Sequence, residues 1–224
     1  MSMTETKSEI FYVAGGGHFG RQAIAKLLKR PQARIQVVEK DAAEVKELLT
    51  AMPACKDHLL TADAVDYLSS LVAGDGDDSA WIIPTVPLHL AAAVVRRLTG
   101  RDFLPWDEVP PLPHGFAGAN GELYSSLADF ICPDDCPQPA DHCYMTGEVR
   151  EKSLVQILRE ISYHGYPSLV LQSQQLAPGV GGFQIEALRQ LLEKMNKEIP
   201  GPLVFSTACL CHGVSNLLGP APAR

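Results

Sequence analysis

A β-run, Ile10-Phe11-Tyr12-Val13-Ala14, passes directly into Gly15-Gly16-Gly17-His18-Phe19-Gly20, and an amphipathic helical pattern follows at once. Glycines in G-x-G-x-x-G spacing at a strand-to-helix turn restrict the fold sharply. Gly15 permits a tight turn, and Gly17 leaves bare backbone that a pyrophosphate can approach. Gly20 lets helix and strand pack closely, while the unpaired amides at the helix N-terminus attract phosphate. The next β-run, Arg34 to Val38, ends at Glu39, 19 residues beyond Gly20. A carboxylate at that strand end accepts hydrogen bonds from ribose hydroxyls and disfavours a 2′-phosphate, so the pattern predicts NAD(H) over NADP(H). The plainer alternative is a glycine turn that serves packing alone.

Further along, the periodicity predicts helices over His18 to about Lys29, Ala42 to Ala51, a turn through Val65, Leu68 and Leu71, and Val86 to Leu98. Short strands are expected at Leu59-Leu60 and Trp81-Ile82-Ile83, with Gly74-Asp75-Gly76-Asp77-Asp78 as a breaker. Strands alternating with helices imply an α/β fold built on a Rossmann-like parallel sheet. Residues 1–100 read as the dinucleotide-binding domain, 101–121 as a Pro-rich linker, and 122–224 as a Cys-rich α/β part that extends the sheet or forms a second small domain. In that part, strands are expected at Leu127 to Ile131, Ser168 to Leu171 and, last, Leu203 to Phe205. Helices are expected over Glu151 to Tyr163 and Phe183 to Lys197.

Residues 10–98 resemble the TrkA-N (RCK N-terminal) NAD-binding domain, best known from regulators of Trk-type potassium uptake. The likeness rests on Val13 to Gly20, on Val37-Val38-Glu39-Lys40-Asp41, and on Thr61-Ala62-Asp63-Ala64. It implies NAD binding by Gly15, Gly17, His18, Phe19, Gly20 and Glu39, with Asp63 near the adenosine, and pairing into a homodimer. The family's usual Gly-Asp-Ala departs here to Ala62-Asp63-Ala64. The NAD-dependent precorrin-2 dehydrogenase domain is similar in its Gly-Gly-Gly turn but fits the second strand less well.

The 224 residues are 46% hydrophobic, enough for a sizeable core, and the net charge is −7 with no basic run. Nucleic acid and anionic membranes are therefore poor expected partners. The most apolar stretch, Trp81 to Val95, is broken by Pro84, Pro87 and His89, which excludes a transmembrane helix, and the polar Met1 to Glu9 carries no signal segment. A cytoplasmic protein is expected, and there six cysteines are thiols or metal ligands before they are disulfides.

Five of those cysteines fall in two short groups. Cys132, Cys136 and Cys143 follow one expected strand, and Cys209-Leu210-Cys211-His212 follows another. Loops after parallel strands gather at the sheet's carboxyl edge, so the two groups are expected to meet, and near the nucleotide. Clustered thiolates repel and are costly to bury unless a metal neutralises them. An iron–sulfur cluster and a zinc ion both suit ligands drawn from Cys132, Cys136, Cys143, Cys209, Cys211 and His212, although neither spacing is a standard one. Unmetallated thiols are the alternative, and Cys55 fits that description best. Gln174 to Gly182 reads as a glycine-rich strand-to-helix loop able to contact a ligand, and His89 as a structural histidine. Two functions follow: an NAD(H)-sensing regulator that acts through a protein partner, or an NAD(H)-dependent oxidoreductase using the metal site.

Overall fold

The computed structural model describes residues 8–222. Strand β1 (Glu9–Ala14), helix α1 (His18–Leu27), β2 (Ala33–Val38), α2 (Ala42–Ala51), β3 (Leu59–Leu60), α3 (Ala64–Ala73) and β4 (Trp81–Pro84) alternate as the sequence predicts. The four strands lie parallel in the order β3-β2-β1-β4, the arrangement of one half of a doubly wound sheet. Local chemistry sets the helix starts. Asp41 accepts from the Ala43 and Glu44 amides to cap α2, and Asp63 accepts from those of Val65 and Asp66 to cap α3.

Helix α4 (Leu90–Thr99) leads into the second half. The Pro-rich stretch expected as a linker is built into a second sheet: β5 (Phe103–Leu104) and β6 (Phe116–Ala117) are strands of it. Arg101, buried just before them, donates to the carbonyls of Ile199, Gly201 and Gly219. The remaining elements are β7 (Leu123–Ser126), α5 (Leu154–Glu160), β8 (Ser168–Gln172), β9 (Gln174–Ala177), β10 (Val180–Gln184), α6 (Ile185–Glu198), β11 (Leu203–Ala208) and β12 (His212–Leu218). The second sheet runs β6-β7-β12-β11-β8, and only its β8–β11 pair is parallel.

Three expectations need correction. The strand predicted at Leu127 to Ile131 lies earlier, at β7, because its partner β12 pairs with Leu123 to Ser126 and leaves 127–131 in a loop. The Gln174–Gly182 segment is not a strand-to-helix loop but the hairpin β9–β10, which adds two antiparallel strands to the first sheet beside β4. Its glycines serve close approach: a Cβ on Gly182 would lie 2.8 Å from the Ile82 carbonyl oxygen. The final strand is β12 rather than Leu203 to Phe205. The C-terminal half thus extends the first sheet and also forms its own, so the fold is α/β with two mixed sheets.

Between the sheets lies one core: Leu90, Ala91, Val94 and Val95 of α4 and Ile185, Leu188 and Met195 of α6 pack with Ile82, Phe183 and Phe205. Helix α1 covers the opposite face of the first sheet through Ala23, Ile24 and Leu27, and α5 covers that of the second through Leu154 and Leu158. His89, at the head of α4, is buried in the seam between Asn216 (2.7 Å) and Thr207 (2.9 Å), and stacks on Phe205. Burial holds its pKa down at about 4, so it is neutral and structural, as the sequence implies. No helix among the described residues is long and apolar enough to cross a membrane.

Candidate functional site

The glycine turn has the geometry its residues require. Gly15 sits at φ +109°, where side chains are disfavoured, and is hemmed in by Thr85, whose hydroxyl donates to the Ala14 carbonyl at 2.7 Å. A Cβ on Gly20 would lie 2.1 Å from the Gly15 carbonyl oxygen, so only glycine lets α1 start this close to β1. Gly17 is different. It precedes α1 in an extended conformation with no side chain capping the helix, and the nearest atom to an added Cβ is a Glu44 oxygen at 3.5 Å. The turn is tight behind and open in front, with His18 and Phe19 exposed beside the opening.

Glu39 reaches back from the end of β2 to this turn. Its carboxylate accepts from the Gly16 amide at 2.9 Å and the Asp41 amide at 2.7 Å. Asp63 stands one strand further out, where it caps α3 and pairs with Lys40 at 2.9 Å. The Lys40 bond, with the two amides, outweighs burial and holds the Asp63 carboxyl below the usual range.

A second opening, a cleft of about 1100 Å³, is lined by Cys132, Cys136, Cys143, Cys209, Cys211 and His212 together. The predicted convergence is realised, by a different route. Cys209 to Cys211 form the tight turn of the antiparallel β11–β12 hairpin, closed by the Cys209 amide on the His212 carbonyl at 2.9 Å. The long segment bearing the other three cysteines is pinned to that turn at both ends. The Leu127 amide donates to the Cys211 carbonyl, and the Leu154 amide to that of Leu210, each at 2.8 Å. Cys55 is buried against the α1 side of the first sheet, away from the cleft.

His212 stands between the two groups: Nε2 is 3.5 Å from Cys132 Sγ and Nδ1 is 3.8 Å from Cys209 Sγ. Burial alone would raise the Cys209 thiol, but hydrogen bonds from the His212 ring and from the Cys211 and His212 amides outweigh it and bring the thiol below its ordinary value. The same contact raises His212 above the usual imidazole range. Cys132 is pushed up by burial and then by Cys136, Cys143 and Cys209. Hydrogen bonds from Thr146 bring Cys143 down.

Arg150 escaped the sequence reading. Its guanidinium donates to the carbonyls of Pro139 (2.6 Å), Ala140 (2.8 Å) and His142 (3.0 Å), which shapes the loop, and to Cys211 Sγ at 2.9 Å. One signal pointed to it: it is the only Arg or Lys between Asp129 and Glu151, a stretch carrying six carboxylates. Asp134 was missed as well. Between Cys132 and Cys136, its Oδ2 lies 3.6 Å from His18 Nε2, so the thiol loop touches the head of α1.

The donors suit a soft, thiophilic metal: five thiols, one imidazole and a cation that offsets thiolate charge. Four thiolates bonded to one zinc at about 2.3 Å stand about 3.8 Å apart, and no group of three or more His, Cys, Asp or Glu among the described residues is gathered for one ion.

Residues 85–220 match AF_1314_C, a family described as "Uncharacterized protein, C-terminal domain". The matched stretch contains the whole cleft and begins beyond the glycine turn. A protein of Archaeoglobus fulgidus described as "Uncharacterized protein" is 28% identical over 220 residues, covering 92% of this chain and 97% of its own. No solved structure is significantly similar to the chain.

Proposed function

The chain belongs to the AF_1314_C family, and we propose that it is an NAD(H)-sensing protein whose cysteine cleft holds an iron–sulfur cluster. The observation that carries this reading is the meeting of five thiols and His212 in one cleft, one of whose loops touches the head of α1. The glycine turn, with its uncapped helix start and Glu39 alongside, supports NAD(H) as the ligand, and the TrkA-N resemblance supports a sensing role through a protein partner, in a homodimer. A donor set of five thiols and one imidazole suits a cluster held by thiolates. When bound, such a cluster supplies one-electron redox chemistry. The chain's part is to hold thiolates: His212 and Arg150 donate to them, and the β11–β12 turn fixes two of them.

A second reading, an NAD(H)-dependent oxidoreductase, is favoured by the size of the cleft, which leaves room for a small substrate beside the thiols. Protein purified without oxygen tests both. Stoichiometric iron and sulfide, broad absorption near roughly 400 nm and calorimetric binding of NADH without steady turnover are expected. Colourless protein carrying one zinc replaces the cluster by an ion, and NADH consumption with a small electrophile selects the oxidoreductase. Protein that holds neither metal nor NADH overturns both readings.

A further inference from the structure

The loop between Cys132 and Cys136 is held against the nucleotide unit by two kinds of contact. Its backbone is fixed by Lys26 of α1, whose Nζ donates to the Asp134 carbonyl at 3.1 Å and to that of Pro178 at 2.7 Å. The Gly179 amide adds a bond to the Cys136 carbonyl at 3.2 Å. Gly179 also makes room, since a Cβ there would lie 1.7 Å from the Asp134 carbonyl oxygen. None of these contacts involves the open front of the turn. The other contact does: the Asp134 carboxylate extends to His18, the first residue of α1 and the one directly after Gly17.

We propose that Asp134 couples the two sites: its carboxylate competes with a pyrophosphate for His18 and the head of α1, so that nucleotide binding removes this contact and loosens the Cys132–Cys136 loop, which the Lys26 and Gly179 bonds continue to hold. The inference rests on the NAD(H) reading above and adds its regulation. The chemistry is that of like charges. An uncapped helix start with a neighbouring imidazole attracts one anion well, and a second anion must overcome the first. His18 and Asp134 are 70% and 56% exposed in their side chains, so their pairing is weak and easily displaced. Cys132 Sγ stands against His212, so movement of this loop alters the contact between the two cysteine groups. Coupling is reciprocal: the factor by which the docked loop weakens NADH binding is the factor by which NADH weakens docking.

The test compares wild type, Asp134→Asn and the neighbouring control Asp135→Asn, by NADH calorimetry and by hydrogen exchange across residues 132–136. Asp134→Asn should bind NADH about fivefold more tightly, and Asp135→Asn like wild type. Saturating NADH should speed exchange across 132–136 in wild type and in the control. In Asp134→Asn exchange should already stand at the NADH-bound level and should not rise further. Wild-type affinity in Asp134→Asn, or exchange that NADH leaves unchanged in wild type, overturns the coupling while the nucleotide site stands. No NADH binding by any of the three overturns both.

Discussion

Six consecutive residues, Gly15 to Gly20, make the glycine turn, whereas in the cleft Cys132 and the imidazole it touches, that of His212, lie 80 positions apart. The turn is made of backbone and of missing side chains: Gly15 at positive φ, Gly20 against a carbonyl, Gly17 with room for a side chain beside Glu44. The cleft is made of side chains carried on loops whose ends are stitched to a distant hairpin turn. Atoms added to the first site should therefore do damage, and atoms removed from the second.

The largest effect should come from removal. Cys132→Ser and Cys209→Ser are each expected to strip the proposed cluster completely, with the double variant no worse, because ligands of one centre act as a unit. NADH affinity should survive in both. Elemental analysis decides the point: stoichiometric metal in both single variants would mean that the two cysteine groups do not share a site.

The seam joining the two regions has a pH signature. His89 is neutral in the fold, with a pKa near 4, against an ordinary value of 6.5. Above pH 6.5 neither state is protonated and the fold keeps its full stability. As pH falls from 6.5 towards 4 the unfolded chain takes the proton first, so stability should drop by about 3 kcal/mol across that window. Denaturant melts at several pH values measure the slope, which His89→Gln should abolish. An unchanged slope in that variant would place the sensitivity elsewhere.

Adding atoms to the turn is the next test. Gly17→Val places a branched side chain where the pyrophosphate of the proposed nucleotide would lie, and should weaken NADH binding about a hundredfold, near 2.7 kcal/mol, with fold and metal content retained. Calorimetry and thermal melts together separate this from unfolding. The smallest effect belongs to Glu39, which should favour NADH over NADPH about tenfold, or about 1.4 kcal/mol. Glu39→Gln should narrow that ratio, and equal affinities in the wild type would remove Glu39 from the site.

Legibility in the sequence followed the range of the interactions. The elements from β1 to α4 were readable because each rests on neighbours a few residues away: strand runs, helical spacing, Asp41 and Asp63 as caps. The hairpin β9–β10 was hidden because glycines lower strand propensity, and the reason for them, the Ile82 carbonyl and Ile83 side chain against Gly182, lies about a hundred positions away. Strand β12 was hidden because it buries Ser215 and Asn216, polar residues acceptable only where Ser206 and His89 receive them.

The sequence by itself determined the α/β class, the glycine turn with its acid at Glu39, and the identity of the thiols, since all three are matters of local spacing and side-chain chemistry. Tertiary structure alone decided that Cys132, Cys136, Cys143, Cys209, Cys211 and His212 line one cleft, that Arg150 braces it, and that Asp134 reaches His18. Those contacts depend on antiparallel pairing and loop closure over long stretches of chain, and no local pattern of residues records which distant backbone a loop will meet.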